Sequence, residues 1–120
     1  MKIRGIVWAG VRTHRFGAMV AFCRDVLGID QTLEGDAVAF FDAPGGDRLE
    51  LFAADGSEGE GVRIGFLVED VAAARAELET AGVEFLGPVH TNAEGYVWTN
   101  FRAPDGNVYS LTYFPGHPAL

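Results

Sequence analysis

The residues able to do chemistry in this chain are few. Three histidines, His14, His90 and His117, share no spacing. A metal site needs donors recurring at fixed offsets on one element or converging from several, so surface roles fit these three better. His14 falls at a strand-to-helix turn, His90 in a connecting segment and His117 in the C-terminal tail. Cys23 is the single cysteine, so no internal disulfide exists; its place on the apolar side of a helix predicts a buried thiol in a reducing compartment. No Ser/His/Asp set, phosphate loop or dinucleotide fingerprint is present. What remains is a group defined by strand parity. Trp8, Glu50 and Arg63 each point away from the apolar, helix-packing side of their strand, and Trp98 and Asn100 alternate with Val97, Thr99 and Phe101. Aromatic, carboxylate, guanidinium and amide groups support ligand recognition or acid–base chemistry. Each has a plainer alternative: Trp8 and Trp98 as core tryptophans, Glu50 and Arg63 on a solvated sheet face.

These residues are positioned by a duplicated frame. Phe101-Arg-Ala-Pro-Asp-Gly-Asn107, followed by Val108 to Tyr113, is a strand end, a Pro-Asp-Gly-Asn turn and an alternating strand. Sixty positions earlier, Phe41-Asp-Ala-Pro-Gly-Gly-Asp47 and Arg48 to Leu51 repeat it. Phe22 to Ile29 and Arg75 to Val83 both end an amphipathic helix at a glycine followed by an apolar residue, 54 positions apart. Recurrence in the same order indicates two copies of one unit.

In chain order, residues 3–12 alternate as a strand with Ile3, Val7, Ala9 and Val11 toward a helix. A helix is expected over 16–27, with Phe16, Val20, Ala21, Cys23, Val26 and Leu27 as its apolar stripe, led in by Thr13 or His14. Strands follow near 31–34, 37–42 and 48–53, the last with Leu49 and Leu51 inward and Arg48, Glu50 and Phe52 opposite. Module one covers about 1–54, a polar glycine-rich linker 55–61, and module two about 62–114. In module two Val62, Ile64, Phe66 and Val68 alternate with Arg63, Gly65, Leu67 and Glu69. Asp70 caps a helix over 71–81, with Val71, Ala74 and Leu78 inward and Arg75, Glu77 and Glu79 toward water. Strands near 84–90, 96–102 and 107–113 precede an irregular tail.

With 120 residues, 48% of them hydrophobic, the chain builds one domain, so the two modules share a sheet or a core. Seventeen acids against nine bases give a formal charge of −8, which repels phosphate backbones and anionic lipid. Nucleic acid and membrane are therefore not expected partners, while a cationic or neutral small molecule is allowed. No signal segment or membrane-length apolar run is seen, and a cytoplasmic location is expected.

Together the duplicated βαβββ modules, Phe22-Cys-Arg-Asp-Val-Leu-Gly28, Phe66-Leu-Val-Glu-Asp-Val71 and Ala103-Pro-Asp-Gly-Asn107 resemble the vicinal-oxygen-chelate superfamily. That superfamily includes glyoxalase I, extradiol dioxygenases, and fosfomycin- and bleomycin-resistance proteins. The resemblance spans nearly the whole chain and implies an α+β fold in which two βαβββ modules form a curved mixed sheet around a concave site, helices outside, commonly as a homodimer. It also implies four positions that hold a divalent ion in metal-using members, falling here on Trp8, Glu50, Arg63 and Ser110. Only Glu50 is a good donor. An indole offers no lone pair, a guanidinium repels a cation and a serine hydroxyl ligates poorly. The resemblance thus leads to no metal and no other cofactor.

Glu50 and Arg63 then either pair where the ion would stand or lie apart on solvated faces. Trp98 and Asn100 extend the same candidate ligand surface. Two function classes stay open. One is a metal-independent protein that binds a small, partly aromatic ligand; the other is a lyase, isomerase or dioxygenase with an atypical metal site, or a catalyst using Glu50 as a base.

Overall fold

The computed structural model describes residues 1–56 and 59–120. Part of the expected linker, residues 57 and 58, lies outside the described residues. Nine strands and two helices are described, in the α+β arrangement of two βαβββ modules. The chain forms two compact units, one of Trp8–Val62 and one of Met1–Val7 with Arg63–Leu120.

The first unit carries most of β1 (Gly5–Thr13), then α1 (Phe16–Ala21), β2 (Asp30–Glu34), β3 (Val38–Asp42) and β4 (Arg48–Ala53). Its strands lie in the order β2-β3-β4-β1, with β1 parallel to β4 and the other pairs antiparallel. Cys23, Ala39, Phe41 and Leu51 form the buried core, against which Val11, Phe16, Met19, Val20, Ile29 and Leu49 pack. As parity predicted, Leu49 and Leu51 face the helix. Burial pushes the Cys23 thiol above its ordinary pKa, consistent with an inert core position.

The expected helix over 16–27 is not uniform. After Ala21 the chain widens into a π-helical turn, Phe22–Val26, where Leu27 N–H donates to the Phe22 carbonyl at 2.9 Å. The added residue per turn rotates the apolar stripe. Val26 and Leu27, expected inward, are 70% and 54% exposed, and Ile29 packs on the core beyond Gly28. No side chain caps α1; the turn before it is held instead by Thr13 Oγ1, which accepts from Arg15 N–H at 3.0 Å, and by Glu60 Oε2, which accepts from His14 N–H at 2.9 Å.

The second unit repeats the plan with β5 (Gly61–Leu67), α2 (Val71–Thr80), β6 (Glu84–Phe85), β7 (His90–Thr91), β8 (Val97–Arg102) and β9 (Val108–Tyr113). Its strand order is β5-β9-β8-β6, and β7 also pairs with β8. Val68, Val71, Ala74 and Leu111 form its core, with Phe66, Leu78, Phe85, Val97 and Phe101 around them. Asp70 caps α2 as expected, accepting from Ala73 N–H at 2.9 Å. The chain start joins this unit: Arg4 N–H donates to Leu67 O at 2.8 Å and the Arg4 guanidinium pairs with Glu69. β1 begins at Gly5, so Ile3, expected inward, is 44% exposed; Val62 likewise is 64% exposed.

Two further expectations are corrected. The strand expected over 84–90 is broken into β6 and β7, because Gly87 has φ 92° and Pro88 lacks the N–H a continuous ladder needs. Arg75, expected in water, reaches across to the sheet: its guanidinium donates to Gly87 O at 2.7 Å and to the buried Thr99 Oγ1 at 2.9 Å. It also lies over the Phe85 ring at 4.8 Å.

The duplication is visible bond for bond. Ala43 N–H donates to Asp47 O at 2.9 Å and Gly46 N–H to Ala43 O at 3.0 Å, while Ala103 donates to Asn107 O and Gly106 to Ala103 O, each at 2.9 Å. Gly46 and Gly106 take φ of 91° and 83°, which side chains rarely adopt. Among the described residues no helix is long and apolar enough to cross a membrane.

Candidate functional site

In each unit the helix covers one sheet face, and pairing register fixes what the other face carries. Directly paired residues point to the same side. On the first unit, Gly10 pairs with Glu50 and Glu50 with Phe40, while Trp8 pairs with Arg48 and Arg48 with Asp42. Trp8, Gly10, Phe40, Asp42, Arg48, Glu50 and Phe52 therefore share the face opposite Leu49 and Leu51.

Trp8 and Glu50 are brought together. The indole Nε1–H donates to Glu50 Oε1 at 3.3 Å. It can do so because Gly10 has no side chain: a Cβ there would lie 2.5 Å from Trp8 Cζ2 and closer still to Cη2. The ring is thus laid across the Gly10 backbone toward the carboxylate. Beside it, Arg48 sits over the Phe40 ring at 4.4 Å and grips Asp42 through Nε at 2.7 Å and a second nitrogen at 3.3 Å. Thr32 Oγ1 adds a hydrogen bond to Asp42 at 2.9 Å.

The two carboxylates diverge electrostatically. Burial pushes Glu50 above its ordinary value; the Trp8 N–H and the Arg48 charge pull it back only in part, and Asp42 adds to the rise. Asp42 is also pushed up by burial, but the hydrogen bonds from Arg48 and Thr32 and the Arg48 charge together hold it below its ordinary value. One face thus carries an anion held in an ion pair and a second carboxylate whose basicity burial raises.

On the second unit the register is the same. Gly65 pairs with Ser110 and Ser110 with Asn100, as Gly10 pairs with Glu50 and Glu50 with Phe40. Trp8 and Arg63 each stand two residues before that glycine. Asn100 and Ser110 are brought together: the buried Ser110 hydroxyl donates to Asn100 Oδ1 at 2.6 Å. Trp98, on the same face, is half-buried and stacks on His90, with ring centroids 5.4 Å apart and planes 26° from parallel. His90 lies on β7 in register with Trp98, not in a bare connecting segment as expected. Arg63 is exposed near the start of β5.

Sequence reasoning missed Gly10, Phe40, Arg48 and His90. The repeat held the signal for Phe40, which lies 60 positions before Asn100, and for Gly10, which lies 55 before Gly65. His90 carried no such mark.

A divalent ion does not fit these residues. Glu50 is the only carboxylate among the four positions, the Trp8 indole offers no lone pair, the Ser110 hydroxyl is a poor ligand, and Arg63 is a cation. Among the described residues no group of three or more His, Cys, Asp and Glu could hold a metal ion.

Comparison with known proteins places these features in a family. No functionally curated protein matches the chain by sequence. Among solved structures, the Mn(II)-bound glyoxalase from Novosphingobium aromaticivorans superposes with TM-score 0.80 at 25% identity, covering 93% of this chain and 39% of that one. This chain thus spans well under half of that glyoxalase. A variant of Streptomyces coelicolor methylmalonyl-CoA epimerase, in complex with 2-nitronate-propionyl-CoA, gives TM-score 0.73 at 23% identity over 97% of this chain and 98% of its own. A glyoxalase/bleomycin resistance protein/dioxygenase superfamily member from Vibrio splendidus 12B01 gives 0.69 at 16%, over 92% and 98%. The model of the Glyoxalase/Bleomycin resistance protein/Dioxygenase superfamily matches residues 5–111, nearly the whole of the two-module frame, and the chain belongs to that superfamily.

Proposed function

We propose that this chain is a metal-independent small-molecule-binding protein that sequesters a partly aromatic ligand on the sheet faces its helices leave open. One observation carries the reading: where the superfamily resemblance implies a metal donor pair, Trp8 lies folded over Gly10 with its N–H on Glu50. An indole engaged with a half-buried carboxylate is a recognition surface, apolar on its face and polar at its edge. Elemental analysis of purified protein tests the metal half, and a thermal-shift screen of aromatic compounds tests the binding half. Substoichiometric metal and stabilisation by a subset of aromatic compounds are expected. Stoichiometric manganese, zinc, nickel or iron would overturn the reading.

A second reading has its own support in the raised pKa of Glu50. Burial makes Glu50 a stronger base than an ordinary carboxylate, so it suits a general base in a proton-transfer reaction. Solvent-deuterium exchange into a bound ligand's acidic C–H, abolished in Glu50→Gln, would establish catalysis over sequestration.

A further inference from the structure

We infer that the open sheet face of the second unit recognises a carboxylate carried on a planar aromatic ligand, with Asn100, Arg63 and Trp98 as the contacting residues. This rests on the binding reading above and names the ligand's chemical class.

The orientation of one amide starts the argument. Ser110 has a single hydroxyl proton and gives it to Asn100 Oδ1 at 2.6 Å, from a side chain that is itself buried. The carbonyl end of Asn100 is therefore turned toward β9, and its NH2 end is turned away. Among the described residues that NH2 group makes no hydrogen bond. It presents donors only, and a ligand meeting it must supply an acceptor.

The charge on this face agrees. Register places Arg63, Asn100, Ser110, Trp98, Arg102 and Glu84 on the side opposite the helix core. Its one glutamate faces Arg102 at 3.7 Å, so Arg63 is the uncompensated charge of the face among the described residues. Asn100 is in register with Gly65 through Ser110, and Arg63 stands two residues before Gly65, so the amide NH2 and the long guanidinium side chain share this face from strands on either side of β9. Together they offer donors to one carboxylate, and the guanidinium's planar fork adds bidentate geometry. The formal charge of −8 does not oppose this, since exposed charges farther than about 8 Å are largely screened at physiological salt.

Aromatic character comes from Trp98. His90 stacks at 5.4 Å and holds the indole in place, and the half-buried ring stands two residues from Asn100 on the same strand. An aryl group bearing a carboxylate can lie against the indole while its anion meets the amide.

Benzoate, benzamide and benzylamine share a ring and differ in charge, so titrating each into isotope-labelled full-length protein tests the proposal. The Asn100 side-chain NH2 and Trp98 indole N–H resonances are followed. Benzoate should shift both, at an affinity about tenfold tighter than benzamide, as a charge-assisted bond requires. Asn100→Asp, which keeps the Ser110 acceptor but replaces the donors by an anion, should abolish the benzoate response, and the exposed Arg63→Gln should weaken it several-fold. Benzylamine or benzamide binding as tightly as benzoate would overturn the carboxylate assignment while leaving a small-molecule role intact. A benzoate response unchanged in Asn100→Asp and Arg63→Gln would overturn it too. Silence of all aromatic probes in both this titration and the thermal-shift screen would overturn the binding reading along with it.

Discussion

The indole N–H of Trp8 reaches the carboxylate of Glu50 at 3.3 Å by lying across Gly10, so a residue without a side chain sets the geometry of the two that have them. The consequence is directly testable. Gly10→Ala places a methyl inside the volume of the indole, and the ring must swing away. Glu50 then loses its donor while staying half-buried. The expected loss is about 1–3 kcal/mol of stability, by denaturant titration, with a change in tryptophan fluorescence. Unchanged stability and emission would show that the indole is not locked there.

Glu50 makes stability depend on pH with a definite sign. Its folded-state pKa is raised, first by burial, so between the ordinary and the raised value the folded chain binds more protons than the unfolded one. Stability contributed by this group is therefore full below the ordinary carboxylate range and is lost as pH climbs through the raised value. Glu50→Gln, which stays neutral, should remove that decline and make the protein more stable than wild type at neutral pH. Thermal melts of both proteins across the range decide it: parallel profiles would refute the assignment.

Arg75 ties α2 to its sheet through Gly87 O and Thr99 Oγ1. Arg75→Met keeps the apolar stem but strips both acceptors of a charged donor. A loss of about 1–3 kcal/mol is expected, larger than the few tenths typical of a surface arginine. A loss below about 0.5 kcal/mol would return Arg75 to the solvated face that helical periodicity gave it.

That contrast marks what the sequence could reveal. The hairpins at Pro44 and Pro104 were legible because proline, a positive-φ glycine and strict alternation each constrain the backbone locally. The Asp70 cap and the inward Leu49, Leu51, Val71 and Ala74 were legible for the same reason. The π-helical turn, the break at Gly87-Pro88 and the reach of Arg75 were not, since packing decides all three. The candidate site divided likewise. Strand parity put Trp8, Glu50, Trp98 and Asn100 on the faces opposite the helices, but parity is blind to who meets whom. The Trp8–Glu50 bond spans 42 residues, and the Ser110–Asn100 bond depends on hairpin register. His90 opposes Trp98 only because β7 pairs antiparallel with β8.

Arg63 gives the last test, because the sequence allowed it two incompatible roles. If it were buried as the counterion of a desolvated carboxylate, Arg63→Ala would strand a charge and cost about 3–5 kcal/mol. The structure instead shows Arg63 exposed, and the charge that partly offsets Glu50 is that of Arg48. An exposed guanidinium contributes at most about 1 kcal/mol through any ion pair, being screened and entropically costly to hold. Arg63→Ala should therefore unfold within about 1 kcal/mol of wild type in urea, with an unchanged denaturant slope. Its cost should appear in ligand binding instead, as a weaker response to benzoate at undiminished stability. A loss of several kcal/mol would contradict the exposed placement and remove Arg63 from the recognition face.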